Sequence, residues 1–406
     1  MTVRILTGDC RVALAGLEPA SVQCCVTSPP YFGLRDYGHG DQIGLETTVE
    51  EYVDGMVKVF REVRRVLRDD GVVWLNLGDS YAANWNSQRK QGGAGLKHEQ
   101  DRWRNTRTPG FAPKQLLGIP WRVALALQWD GWYLRSDCIW AKPNPMPESV
   151  TDRPTKAHEY VFLLTKHDRY FYDAEAAKED SVRAGDIPGG GKGFIDYTTG
   201  GHNRDGLAAM SQRPVAPTRN LRTVWTIATK PFKGAHFATF PPELAQRCIV
   251  AGTSAKGQCP ACGAPWERVT ARGALAGEAR IQDTERPAAE AKGLSGTSIL
   301  RTNGRTWRET IDLGWQPTCT CDGEFVAEPL VLEEPERTWR RFVPGPGGVQ
   351  EPVPQVLLDP FGGAGTTGLV ASRLGRDAVL IELNPEYAAM ARQRIEADAP
   401  MFSEVS

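Results

Sequence analysis

Nowhere in the 406 residues is there an uninterrupted apolar run of the ~18 residues that a membrane-crossing helix requires. The opening segment MTVRILTGDC also lacks the apolar stretch of a secretion signal. A soluble cytoplasmic protein with no membrane partner is therefore expected. A disulfide framework is not expected either: nine cysteines is an odd number, and a chain without a secretion signal uses its thiols for burial or for metal. No surplus of charge of either sign exists, since 48 Lys and Arg stand against 49 Asp and Glu for a formal net charge of −1. A nucleic-acid binder this neutral must segregate its charge. A phosphate-binding P-loop is missing too. The Gly-rich cluster at residues 189–193 has neither the leading glycine at the required offset nor a Ser or Thr after its lysine, and is expected to be a flexible loop.

What is present is an ordinary globular composition, 41% hydrophobic and 24% charged, on a chain long enough for two or three domains. Charge is segregated locally. Residues 82–115 hold seven Lys/Arg against two acids, and residues 202–235 six against one, Asp205. Both stretches interleave turn residues and aromatics, as basic nucleic-acid-binding loops do, although solvated loops share that composition.

The rest of the chain follows an α/β rhythm, without internal repeats. Residues 3–6 and 21–27 are short, strand-like apolar runs. Over 50–70, Val53, Met56, Phe60, Val63 and Leu67 recur at helical spacing, and Gly71 is expected to stop that helix before a buried strand at 72–77. An amphipathic segment at 120–129 precedes strand-like runs at 133–140 and 160–164. The pattern returns with a strand at 356–358, a helix at 366–374 closed by Gly375, a strand at 378–382 and a helix at 385–396. Such alternation predicts an α/β, Rossmann-like, mostly parallel sheet with helices on both faces, interrupted by inserts.

Two loops carry chemistry. Asp359-Pro-Phe-Gly-Gly-Ala-Gly-Thr-Thr-Gly368 lies between a strand and a helix, where glycines let the backbone approach a ligand and the helix N-terminus offers free N–H groups. Gly363, Gly365 and Gly368 satisfy G-x-G-x-x-G, and Glu382 ends the next strand, where an acid can bond the ribose hydroxyls of a nucleoside. A nicotinamide cofactor normally needs two such units, starting near the N-terminus, and here a single unit lies at the far end. The second loop, Thr27-Ser-Pro-Pro-Tyr31, follows a strand. Its prolines hold the chain extended and lack N–H groups, so the frame presents acceptors, the Ser28 hydroxyl among them, beside the flat face of Tyr31.

With the Ser-Pro-Pro-Tyr loop first and the glycine loop last, the chain resembles the circularly permuted β group of DNA amino-methyltransferases, the N4-cytosine/N6-adenine family of TSPPY type. The resemblance covers most of the chain outside the inserts. Gly8-Asp9, residues 76–81, 139–149 with 158–160, and 236–244 are similar to further motifs of that group, in its order. It implies S-adenosylmethionine as cofactor, held by Asp9, Asp359, Phe361, Gly363, Gly365 and Glu382, with Ser28, Pro29, Pro30 and Tyr31 catalytic. His158 is either a phosphate or base contact or a structural histidine. A serine at the first motif position is typical of N4-cytosine enzymes, whereas Asp or Asn is commoner for N6-adenine. The implied activity is therefore site-specific methylation of N4 of cytosine in double-stranded DNA, on a base flipped out of the helix, with N6-adenine methylation as the alternative. Acceptors on both N–H bonds of the amine favour the pyramidal nitrogen that attacks a methyl group. The implied setting is restriction-modification in a prokaryotic or phage-infected cell, with a restriction endonuclease as partner. A zinc-containing nucleic-acid-binding protein with an inactive methylase core is the reading from another class, and the intact loops speak against it.

Cys259 and Cys262, with Cys319 and Cys321, bracket the central insert and are candidate ligands of one structural zinc. Cys10, Cys24, Cys25, Cys138 and Cys248 read as core. The insert carries 12 basic and 13 acidic residues over 253–350, which suits scaffolding better than phosphate binding. The expected organisation is a catalytic half at 1–81, a basic insertion at 82–115, middle motifs at 116–173, a target-recognition region at 174–225, a core segment at 226–252, the cysteine insert at 253–350 and the cofactor half at 351–398.

Overall fold

Two runs that are buried from end to end, 22–27 and 72–77, lie in the middle of a sheet that is covered on both faces, which is why neither shows a regular polar alternation. The computed structural model describes residues 1–34, 40, 42–82, 108–181, 217–229, 240–275, 308–330, 337–398 and 404–405. In chain order the first half contains β1 (Thr2–Thr7), α1 (Cys10–Ala15), β2 (Val22–Thr27), α2 (Val49–Val66), β3 (Leu67–Leu77), α3 (Ile119–Trp129), β4 (Tyr133–Ala141), β5 (His158–Thr165), β6 (Glu179–Asp180), β7 (Thr218–Arg219) and β8 (Val224–Thr226). The second half contains α4 (Pro242–Gly252), β9 (Trp266–Leu275), β10 (Arg308–Pro317), β11 (Gly323–Leu330), β12 (Arg337–Pro344), β13 (Val356–Asp359), α5 (Thr366–Arg373), β14 (Asp377–Glu382), α6 (Pro385–Asp398) and β15 (Glu404–Val405).

Among the described residues, nine strands form the main sheet in the order β15-β1-β14-β13-β2-β3-β5-β4-β8. Pairing is parallel from β15 through β3, antiparallel on both sides of β5, and parallel again between β4 and β8. The last βαβ unit thus sits inside the sheet, with β13 bonded to β2 and β14 to β1. Successive strand residues face opposite sides. Cys25, Val73 and Leu75 join a core with Leu14, Phe60 and Leu127 of α1, α2 and α3. Cys24, Val72 and Trp74 join another with Ile249, Val370 and Ile395 of α4, α5 and α6. All five cysteines expected in the core are buried. No helix among the described residues is long and apolar enough to cross a membrane.

α2 begins with a capping box, Thr48 with Glu51, and buries Tyr52, Met56, Val59, Phe60 and Val63. Each such side chain contributes ~1.5–3 kcal/mol by leaving water. The helix does not run to Gly71. It ends at Val66, and Leu67 is already extended (φ −71°, ψ 139°) and paired with Val22. Leu67 continues the helical spacing from Val63 but is the first inward residue of β3, so periodicity alone misplaces the boundary. Gly71 is demanded by packing instead: a Cβ there would lie 2.8 Å from the Gln23 carbonyl oxygen. The insert contributes two antiparallel hairpins, β9–β10 and β11–β12, that periodicity did not predict.

Candidate active site

Because β1, β14, β13, β2 and β3 are parallel, their C-terminal ends share one rim, the edge where open α/β sheets bind ligands. Registers of Thr7 with Glu382, Leu358 with Cys25 and Thr27 with Leu75 bring both chemical loops to that rim on neighbouring strands.

Asp359 joins the two loops. It is 1% exposed. Its Oδ1 accepts from the Thr27 hydroxyl at 2.7 Å and from the Phe361 N–H at 3.1 Å, and its Oδ2 accepts from the Thr367 hydroxyl at 2.7 Å. Burial raises its pKa to about 6, and the three hydrogen bonds offset only part of that rise. Its oxygens face protein donors from both loops, which makes Asp359 a clasp between them.

The glycines divide their work. Gly363 (φ 50°) donates its N–H to Glu382 Oε2 at 2.7 Å. Gly365 (φ 73°) caps α5, where a Cβ would come within 2.8 Å of Ala391 Cβ. A Cβ on Gly368 would lie 2.7 Å from Leu380 Cδ1, so this glycine lets α5 approach β14. Glu382 Oε1 also accepts from the Asn384 N–H at 2.9 Å. Phe361 packs half-buried against the α1–α3 core. Asp9 caps α1 and pairs with Arg11, whose hydrogen bond lowers its pKa. The Gly8 N–H donates to the Glu382 carbonyl at 2.8 Å, which keeps Asp9 beside the end of β14.

Ser28, Pro29, Pro30 and Tyr31 follow β2 directly. Of the two proline carbonyls expected as acceptors, that of Pro30 is already taken by the Tyr52 hydroxyl at 2.9 Å. The Tyr31 ring lies against Gly78, where a Cβ would stand 2.6 Å from Tyr31 Cε2. Beneath the loop is a polar group that motif reading missed. Tyr31 Oη donates to Glu159 Oε2 at 2.6 Å, Asn76 Nδ2 donates to the same oxygen at 3.0 Å, and Lys142 pairs with Oε1. Burial, with the Glu159 charge, holds the Tyr31 hydroxyl well above its ordinary pKa. Asp79 bonds the Ile119 N–H at 3.0 Å at the start of α3. These residues lie inside stretches whose resemblance was noted (76–81, 139–149 and 158–160), yet only their convergence singles them out. His158 stacks edge-on against Tyr160 at 5.4 Å.

Away from the rim, the Sγ atoms of Cys259, Cys262, Cys319 and Cys321 all lie within 4.8 Å of one another. The first pair sits on a tight turn closed by the Gly263 N–H on the Cys259 carbonyl at 2.8 Å, and Arg68 of β3 donates to the Cys262 carbonyl at 2.8 Å. The cluster stands where both hairpins leave the core, next to a Gln258–Val353 bridge. Residues 83–107, 182–216 and 230–239 lie outside the described residues. They include most of the basic insertion, most of the expected target-recognition region and the start of the 236–244 motif.

A Rossmann-like sheet carrying a glycine loop and a Ser-Pro-Pro-Tyr loop on one rim defines a methyltransferase fold. A sequence model of the N6/N4 DNA methylase family matches residues 22–258 and 352–393, and the chain belongs to that family. The match stops before Cys259 and resumes beyond the insert. The type II methyltransferase M.SmaI of Serratia marcescens is 35% identical over 392 residues, 97% of this chain and 90% of its own length. M.XycI of Xanthomonas campestris pv. cyanopsidis is 47% identical over 252 residues (61% of this chain, 72% of its own), and M.Cfr9I of Citrobacter freundii 46% over 252 residues with the same shares.

Proposed function

We propose that this DNA methyltransferase moves the methyl group of S-adenosylmethionine to N4 of cytosine, at a short specific sequence in double-stranded DNA. The juxtaposition that carries the reading is the Thr27–Asp359–Thr367 clasp, which holds the Ser28–Tyr31 loop beside the glycine loop. S-adenosylmethionine, when bound, supplies a sulfonium-activated methyl group. Glu382, half-buried at the end of β14, would hold the ribose, Phe361 would flank the adenine, and the positive-φ glycines 363 and 365 keep the loop free of side chains. Tyr31 would stack on the flipped base while the Ser28 hydroxyl accepts from its amine. A neutral serine at this position favours cytosine, and N6 of adenine is the alternative on the same frame. Recognition of the duplex falls to the basic segments around 82–115 and 174–225, and a restriction endonuclease of the same specificity is the expected partner. The four cysteines, whose sulfurs lie within 4.8 Å of one another, would hold one structural zinc as thiolates.

Calorimetric titration with S-adenosylmethionine and NAD, followed by transfer of labelled methyl to duplex DNA, tests this reading. Binding of NAD in place of S-adenosylmethionine, or absence of labelled DNA, would refute it.

A further inference from the structure

An amine that gains a methyl group must lose a proton. The Ser28 hydroxyl is neutral and can take that proton only by handing its own onward. The structure supplies the onward route. Ser28 Oγ lies 3.4 Å from Tyr31 Oη, and Tyr31 Oη donates to Glu159 Oε2 at 2.6 Å. Asn76 is fixed by the Tyr160 carbonyl at 3.1 Å and donates to the same carboxylate oxygen at 3.0 Å. The other carboxylate oxygen faces the Lys142 ammonium, itself 4.3 Å from the centre of the Trp140 ring. The Lys142 and Glu159 side chains are only 18% and 14% exposed. Lys156, 3.9 Å from Asp79, is a further cation close enough to feel the Glu159 charge. Stacking on a base requires none of this, because a phenylalanine ring stacks equally well.

We infer that Glu159 is the terminal proton acceptor of a relay running from the target amine through Ser28 Oγ and Tyr31 Oη, with Asn76 and Lys142 as its positioning residues. The inference rests on the amine methylation proposed above. As the nitrogen–carbon bond forms and the donor's carbon–sulfur bond breaks onto sulfur, the nitrogen becomes cationic. Its proton passes to Ser28 Oγ, the Ser28 proton to Tyr31 Oη, and the Tyr31 proton to Glu159 Oε2. The net change is one proton moved from amine to carboxylate, with both hydroxyls restored. The raised pKa of Tyr31 keeps its hydroxyl protonated, so it works by exchange and not as a phenolate. The 3.4 Å step is long, and such contacts tighten when substrate is bound.

The test is single-turnover methyl transfer by the full chain, with S-adenosylmethionine and duplex both saturating. Tyr31→Phe and Glu159→Gln are each expected to slow transfer ~100-fold, in the range of general-base effects. Cofactor and duplex Kd should stay within about threefold, since neither variant removes a ring or a backbone contact. The double variant should be no more than about threefold slower than the slower single, because the two residues serve one path. Formate should restore at least ~10-fold of the rate to Glu159→Ala by replacing the lost base, and should restore nothing once Tyr31→Phe is added. A purely structural Glu159 would not respond to formate. If Glu159→Ala fails to fold, Tyr31→Phe, which deletes one oxygen, still decides. Tyr31→Phe at the wild-type rate, losses that multiply in the double variant, or formate acting without the Tyr31 hydroxyl would each overturn the relay and leave the proposed function standing. A wild-type protein that does not methylate DNA would instead defeat the function on which the relay rests.

Discussion

Asp359→Asn and Asp359→Ala should have opposite consequences for stability. At neutral pH the buried carboxylate is charged although its surroundings favour the proton, with a pKa raised from 3.8 to about 6. That difference corresponds to roughly 3 kcal/mol against the charged form. Asparagine resembles the protonated acid. Its carbonyl can still accept from the Thr27 hydroxyl and the Phe361 N–H, and its amide can donate to Thr367 Oγ1, whose own proton has the Val26 carbonyl in reach at 3.2 Å. Alanine strands the buried Thr27 hydroxyl and the part-buried Phe361 N–H, at about 1–3 kcal/mol each. Urea unfolding at pH 7.5 should therefore find Asp359→Asn at least as stable as wild type and Asp359→Ala less stable by roughly 2–6 kcal/mol. The pH dependence has a definite sign. The folded-state pKa lies above the unfolded one, so the folded protein holds more protons between about pH 4 and 6, and wild-type stability relative to Asp359→Asn falls as pH rises through that window, then levels off. Equal damage by both substitutions, or a wild type that gains on Asp359→Asn as pH rises, would refute the reasoning.

Tyr31→Ala and Pro29→Ala should abolish methyl transfer while leaving S-adenosylmethionine affinity within a few-fold, since both residues would meet the base and not the cofactor. Near-normal turnover in either variant would remove the Ser-Pro-Pro-Tyr loop from catalysis. Glu382→Ala should weaken S-adenosylmethionine binding by ~10-fold or more, because a charged acceptor contributes about 1.5–3 kcal/mol per hydrogen bond and the substitution also releases the Gly363 N–H. Unchanged affinity by calorimetry would move the cofactor elsewhere. Metal analysis should find one zinc per chain, and a chelator should speed hydrogen exchange around 258–265 and 317–322 while the main sheet stays protected. Purified protein without zinc, never exposed to chelator, would disprove the site.

The main sheet was legible because its strands and helices have strong periods and lie between clear breaks. The parallel pairing followed from the βαβ rhythm, and residues 356–396 show elements close to those expected. Local pattern failed where two periods agree, as at Leu67, where an element is very short, as in the three-residue β8, or where strands are long but partly exposed, as in the hairpins of the insert. At the site, the two loops could be read because proline pairs and clustered glycines leave marks in sequence. Glu159, Asn76 and Lys142 leave none. They come from three separated segments, and only the antiparallel pairing of β5 with β3 and β4 brings them under Tyr31. Asp359 could be located but its partners could not, because Thr27 lies 332 positions away in the chain.

Mass spectrometry of nucleosides tests the central claim most directly. Purified protein is incubated with S-adenosylmethionine and duplex DNA, and the DNA is then digested to nucleosides. N4-methyldeoxycytidine is predicted as the one abundant new product, absent when Tyr31→Ala replaces the wild type. N6-methyldeoxyadenosine as the main product, or no methylated nucleoside at all, would contradict it.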